Sequence, residues 1–127
     1  MKAPINKVNK IIKVAKSDEE ILALILFGSS SHRENVNDSD IDICLVLKSR
    51  EYSAESLSYK RLEYLEKFDF DIQIFQQLPI YIKKRILKDG KVLFCKDEDE
   101  MYKIAFKMVE EFSDFEHIYR DYLKEIC

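Results

Sequence analysis

At 127 residues, 46% of them hydrophobic, the chain has the length and apolar content for one core and one domain over residues 1–127, with no room for a second, substrate-holding domain. A formal charge of -3, from 21 basic and 24 acidic residues, excludes a global attraction to nucleic acid or to an anionic membrane, so neither is expected as a direct partner. Cys44, Cys95 and Cys127 are scattered without a Cys-x-x-Cys spacing, which excludes a disulfide framework and a zinc knuckle; with no secretory or membrane-spanning run, the expected location is the cytoplasm.

Ile5, Val8, Ile11, Ile12 and Ala15 recur at helical spacing and predict a first helix packed on a sheet. The run Ile21 to Phe27 predicts a first strand, and its unbroken hydrophobicity predicts burial on both faces. Asn37-Asp38-Ser39 reads as a turn into a second strand, whose apolar run is Ile43 to Leu47. Leu57, Tyr64, Leu65 and Phe68 share one face of a helix between about Ser53 and Phe68, and a third strand follows at about Phe70 to Phe75.

Pro79 suits the first turn of another helix and Gly90 its end, with Val92 to Phe94 adding a short edge strand. From Asp97 onward, Met101, Ile104, Ala105, Met108, Phe112, Phe115, Tyr119, Tyr122 and Ile126 form a long apolar stripe. It predicts one long helix, or two with a break near Ser113-Asp114. The stripe exceeds what a small sheet can cover, so part of it is expected to meet another subunit, including a second copy of the chain.

Two motifs carry chemistry. Gly28-Ser29 closes the first strand, where a glycine lets backbone approach a phosphate and a serine adds a hydroxyl donor. Ten residues after Ser29, Ser39-Asp40-Ile41-Asp42 opens the second strand. Alternation along a strand points Asp40 and Asp42 the same way, with Cα atoms about 6.6 Å apart. Two such carboxylates can share Mg²⁺, a hard cation that combines one or two carboxylates with substrate phosphates and water. Asp-x-Asp alone is weak, because Asp38/Asp40, Asp69/Asp71 and Asp97/Asp99 also occur. Position at the edge of an apolar strand, downstream of Gly-Ser, singles out Asp40/Asp42. Gly-Ser by itself fits an ordinary strand-to-helix turn with a serine cap.

Gly28-Ser29, the Ser39-Asp40-Ile41-Asp42 block and the later strand Asp71-Ile72-Gln73-Ile74-Phe75 together resemble the DNA polymerase β-type nucleotidyltransferase superfamily. Leu78-Pro79 leading into a helix that ends Lys88-Asp89-Gly90-Lys91-Val92-Leu93-Phe94, and the aromatic tail through Tyr122-Leu123, resemble its minimal nucleotidyltransferase (MNT) antitoxin branch, found in HEPN/MNT toxin-antitoxin pairs. The resemblance implies an α/β fold, a small mixed β-sheet with helices on one side, plus the long C-terminal helix. It implies transfer of AMP from ATP, with two Mg²⁺ ions held by Asp40, Asp42 and Asp71, and Gly28, Ser29 and Ser39 at the nucleotide. Asp71 is preferred to Asp69 as third carboxylate on the same ground, with a part in deprotonating the attacking hydroxyl.

The acceptor implied is a tyrosine of a cognate HEPN RNase toxin. A small-molecule transferase of the aminoglycoside-modifying kind and a non-catalytic, masking antitoxin are the rivals. His32-Arg33 departs from the family, in which arginine and glycine are usual at these places; Arg33 serves as a phosphate clamp, or both residues face solvent. Lys83, Lys84, Arg85 and Lys88 form a basic cluster whose default is a solvated helix face and whose sharper alternative is a partner contact.

Overall fold

The structure, a computed structural model, describes residues 5–28 and 41–126. Element order is α1 (Ile5–Ser17), β1 (Ile21–Phe27), β2 (Asp42–Leu47), α2 (Ala54–Lys67), β3 (Asp71–Ile74), a 3₁₀ turn (Phe75–Gln77), α3 (Ile80–Asp89), β4 (Lys91–Cys95) and α4 (Glu98–Ile126). The four strands form one mixed sheet in the order β3-β2-β1-β4, with β1 antiparallel to both β2 and β4 and β2 parallel to β3. The parallel pair needs a crossover, and α2 supplies it. Among the described residues no helix is long and apolar enough to cross a membrane.

Alternation along β1 and β2 builds two cores. Leu24, Leu26, Ile43, Leu45 and Leu47 face Val8, Ile11 and Ala15 of α1 and Leu57 and Tyr64 of α2. Leu22, Ala23, Ile25, Cys44 and Val46 face Ile82, Ile86 and Leu87 of α3 and Met101 and Ile104 of α4. The mixed α/β class is as expected, but one detail is corrected: the helices divide between the two faces instead of gathering on one side. The physical reason lies in β1, six of whose seven residues are buried whichever way they point, so each face needs a cover.

The ends of the elements follow local chemistry. The Ser53 hydroxyl accepts from the Ser56 amide at 3.0 Å and caps α2, a device worth about 1 kcal/mol. Pro79 stands at the cap of α3 and Gly90 ends it. A Cβ on Gly90 would collide with the Ile86 carbonyl and the Ile25 side chain, so only glycine lets α3 close against β1. At the end of β2, Gln76 substitutes for a strand residue: its amide donates to the Leu47 carbonyl at 2.9 Å and its oxygen accepts from the Leu47 amide at 3.2 Å. On the edge strand β3, Arg61 Nε donates to the Ile72 carbonyl at 2.7 Å, which blunts an otherwise open edge.

α4 runs unbroken through Ser113-Asp114 for 29 residues, about 43 Å at 1.5 Å per residue. Its first half covers the sheet, and Tyr81 of α3 meets Phe112 and Phe115 edge-on at 5.5 and 5.3 Å between ring centroids. Further along, Ile118, Tyr119 and Tyr122 are exposed.

One ionic knot ties α2 to the turn before β1. Lys60, only 8% exposed, donates to Asp18 and lies 2.9 Å from Glu20, while the Tyr64 hydroxyl donates to Asp18 at 2.8 Å. Burial alone would raise the Asp18 carboxyl, but hydrogen bonds from Lys60, the Glu20 amide and Tyr64 outweigh it and hold the group below its ordinary value. Burial would likewise lower Lys60, and its bonds to Glu20 and Asp18 reverse that and hold the ammonium above the usual lysine range.

Lys60→Met is expected to cost about 3 kcal/mol in denaturant unfolding, because it strands a largely buried carboxylate. A depressed folded-state pKa at Asp18 means that its contribution is complete above the ordinary carboxylate pKa and is lost as pH falls through the folded value. Stability of Asp18→Asn should therefore fall less steeply than that of the parent as pH drops below about 4, measured by urea titrations across that range.

Candidate functional site

The site is built where β1 ends and β2 and β3 begin. Phe27 pairs with Asp42 across the antiparallel β1/β2 ladder, and Asp42 pairs with Asp71 across the parallel β2/β3 ladder. Residues in register on neighbouring strands point to the same face, with Cα atoms about 4.8 Å apart. Asp42 alternates with Ile43 and shares the face of Cys44 and Val46, the face covered by α3 and α4. Asp71 is on the exposed edge strand, and its Oδ1 accepts from Gln73 Nε2 at 3.2 Å. Its amide donates to the Ile41 carbonyl at 2.9 Å, which fixes the strand against β2. Asp69 precedes the strand and is exposed.

Gly28 has φ +78°, the left-handed region that strains any residue with a side chain. A Cβ there would overlap the Asp42 carboxylate. Two independent constraints thus demand glycine: the turn itself, and the close approach of its backbone to Asp42. Beneath them Cys44 is buried and its thiol is pushed far above the ordinary cysteine range by desolvation, so it stays neutral and forms inert wall.

The sequence reading proposed Gly28, Ser29 and Ser39 for the nucleotide and Asp40, Asp42 and Asp71 for metal and chemistry. Of these, Gly28, Asp42 and Asp71 stand together at one end of the sheet. Ser29, Ser39 and Asp40 lie outside the described residues, as do His32 and Arg33. Among the described residues no group of three His, Cys, Asp or Glu side chains is placed to hold a metal ion. The donor chemistry of Asp42 and Asp71 nevertheless suits a hard cation: two carboxylates, in register, on one face, beside a backbone turn without a side chain. Like charges directly opposite each other weaken a sheet, so this pair contributes nothing to folding by itself.

The family model for "Polymerase beta, Nucleotidyltransferase" matches residues 9–99, more than half of the chain. The chain belongs to the polymerase beta nucleotidyltransferase family. It is 37% identical over 107 residues to "Putative protein adenylyltransferase MJ1547" of Methanocaldococcus jannaschii, covering 84% of this chain and 76% of that protein. A second protein of that organism, "Putative protein adenylyltransferase MJ1379", is 31% identical over 81 residues, covering 61% of this chain and 81% of its own. Among solved structures, a toxin-antitoxin structure with AMP-PNP superposes with a TM-score of 0.65 at 20% identity, covering 93% of this chain and 96% of that one. A tri-AMPylated Shewanella oneidensis HEPN toxin in complex with MNT antitoxin gives 0.65 at 17% identity, covering 95% and 96%. At those identities the likeness shows the nucleotidyltransferase fold.

Sequence reasoning missed two groups in this nucleotidyltransferase. Asp18, Lys60 and Tyr64 lie far apart in the chain and carry no motif. Lys48, Arg50, Lys103 and Lys107 come from a loop and from α4, and line a cleft together with Lys83. The expected basic cluster on α3 is dispersed: Lys83 lies over the Phe75 ring at 5.6 Å and Lys84 over Phe112 at 4.1 Å, while Arg85 and Lys88 are exposed. No local pattern could have found the cleft.

Gly28→Ala is expected to cost at least about 1 kcal/mol from the backbone angle alone, with more from displacement of Asp42. Thermal unfolding reads the first effect. Any loss beyond that figure reads the second.

Proposed function

We infer that this protein is an antitoxin that transfers AMP from ATP to a tyrosine hydroxyl of a partner HEPN RNase toxin. The observation that carries the reading is the in-register pair Asp42/Asp71 beside the Gly28 turn, on a nucleotidyltransferase fold. The 37% identical relative, named for protein adenylylation, supports the reaction class. The toxin-antitoxin structures, one with AMP-PNP and one with a tri-AMPylated toxin, support nucleotide and partner.

In this reading the whole chain acts as a single nucleotidyltransferase domain. Asp42 and Asp71, completed by Asp40, would hold two Mg²⁺ ions. Bound there, the metal supplies neutralisation of the triphosphate and a more acidic acceptor hydroxyl. Backbone at Gly28 approaches the phosphates where a side chain would block them, with Ser29 and Ser39 as hydroxyl donors. The acceptor oxygen attacks the α-phosphorus, the bond to the bridging oxygen breaks, and pyrophosphate leaves. Asp71, on the open edge strand, is reachable by the acceptor and takes its proton.

In this reading the acceptor surface comes from the partner. Exposure of Ile118, Tyr119 and Tyr122 supports a role for the outer half of α4 in meeting another chain, the toxin or a second copy.

Incubation of the cognate toxin with ATP, Mg²⁺ and this protein should add one or more AMP masses to a toxin tyrosine. Asp42→Asn should lower the rate at least about a hundredfold and fail to protect cells from the toxin while remaining folded. Protection by that mutant equal to the parent's would leave an antitoxin that acts by binding alone. Tyr119→Asp with Tyr122→Asp should weaken association with the toxin or with itself, read by light scattering after gel filtration; unchanged association would make the outer stripe idle surface.

A further inference from the structure

The face of the sheet that carries Asp42 has a second feature at its opposite end. The loop after β2, the 3₁₀ turn, α3 and α4 enclose a cleft of about 490 Å³. Its floor is apolar, made of Phe75, Ile104 and Met108. Around that floor converge five cations, Lys48, Arg50, Lys83, Lys103 and Lys107, against two carboxylates, Glu51 and Glu111.

Among the described residues none of the five cations has a carboxylate within 4 Å. In a chain of net charge -3 this is a local segregation of positive charge. Such crowding costs folding free energy through mutual repulsion, and an anion in the cleft removes that cost.

We propose that the cleft docks an acidic segment of the protein acceptor and so holds the acceptor while its hydroxyl is presented at Asp42 and Asp71. This rests on the reading of the protein as a transferase acting on a partner protein. Distance favours a polymer over a small molecule. Asp42 opens β2 and Lys48 follows its end, so six residues at about 3.3 Å each separate site and cleft by about 20 Å. An extended segment of about six residues spans that distance.

The lining favours a peptide over RNA. Phe75 is 2% exposed and lies under Lys83, so it offers no open ring on which a base could stack. Glu51 and Glu111 would repel a continuous phosphate backbone. They leave room for a segment whose acidic side chains are spaced by an apolar one that meets Ile104, the partly exposed residue of the floor. The cleft thus gives the protein a way to select its acceptor by charge.

The test uses fluorescence anisotropy at low salt, without nucleotide, on two labelled probes: a peptide alternating glutamate with leucine, and an oligouridylate of equal charge. The parent should bind the peptide more tightly than the RNA. Lys103→Glu/Lys107→Glu should weaken peptide binding by about tenfold or more, and Lys48→Ala/Arg50→Ala should weaken it independently. Lys10→Glu/Lys13→Glu, the same charge change on the opposite face of the sheet, should leave it unchanged.

Failure of the parent to bind the peptide, equal weakening by the α1 variant, or tighter binding of the RNA would each overturn the proposal. With the toxin as acceptor, Lys103→Glu/Lys107→Glu should raise KM for the toxin and leave kcat near the parent's. Peptide docking without AMP transfer by the parent would refute the transferase reading alone. AMP transfer with an unaltered KM in the cleft variant would refute the docking alone.

Discussion

β1 has no side chain that water can use: Ile21 to Leu26 are buried on both faces, and the strand is paired along both edges, by β2 and β4. That double burial dictates the layering. A strand apolar all round requires a helix pair above and another below, and α1 with α2 and α3 with α4 meet the requirement. It also dictates where chemistry can occur, because polar groups tolerated at such a strand are confined to its ends. Gly28 stands at one end, and the loop that carries Lys48 and Arg50 packs near the other.

Among the described residues the strand ends differ in sign. Asp42 and Asp71 occupy one end of the face beneath α3 and α4, and unpaired lysines and an arginine occupy the other. A formal charge of -3 conceals this polarity, since an average over the chain says nothing about position. The carboxylates are held by ladder register and not by a loop, which gives the site the rigidity of the sheet. The cations are held by a loop, a 3₁₀ turn and two helices.

The buried charge of Lys60 serves a different purpose. Its partners Asp18 and Glu20 flank the turn that starts β1, so the knot fixes the phase in which β1 begins. A slip of β1 by one residue would turn each of its side chains to the other face of the sheet. Buried ion pairs contribute little net stability compared with apolar substitutes, and registry is a better-attested use of them.

Much of the fold was legible in the chain because the relevant signals are local. Hydrophobic runs, helical spacing and the Pro79 and Gly90 stops located the eight helices and strands of the described residues, and β1 was found at its observed limits, since solvent exclusion along one segment leaves its period in that segment. Continuity of α4 through Ser113-Asp114 was open in the sequence and was decided by Tyr81 gripping Phe112 and Phe115 on either side. Gly28 and the Asp40/Asp42 pair were legible as a motif, because a turn glycine and alternating carboxylates are properties of consecutive residues. Placing Asp71 opposite Asp42 required the register of two parallel strands separated by a helix, which no local period encodes. The distribution of helices between the faces, the Lys60 knot and the basic cleft are of the same kind. Each joins residues from segments far apart in the chain, and only the packed sheet brings them within reach of one another.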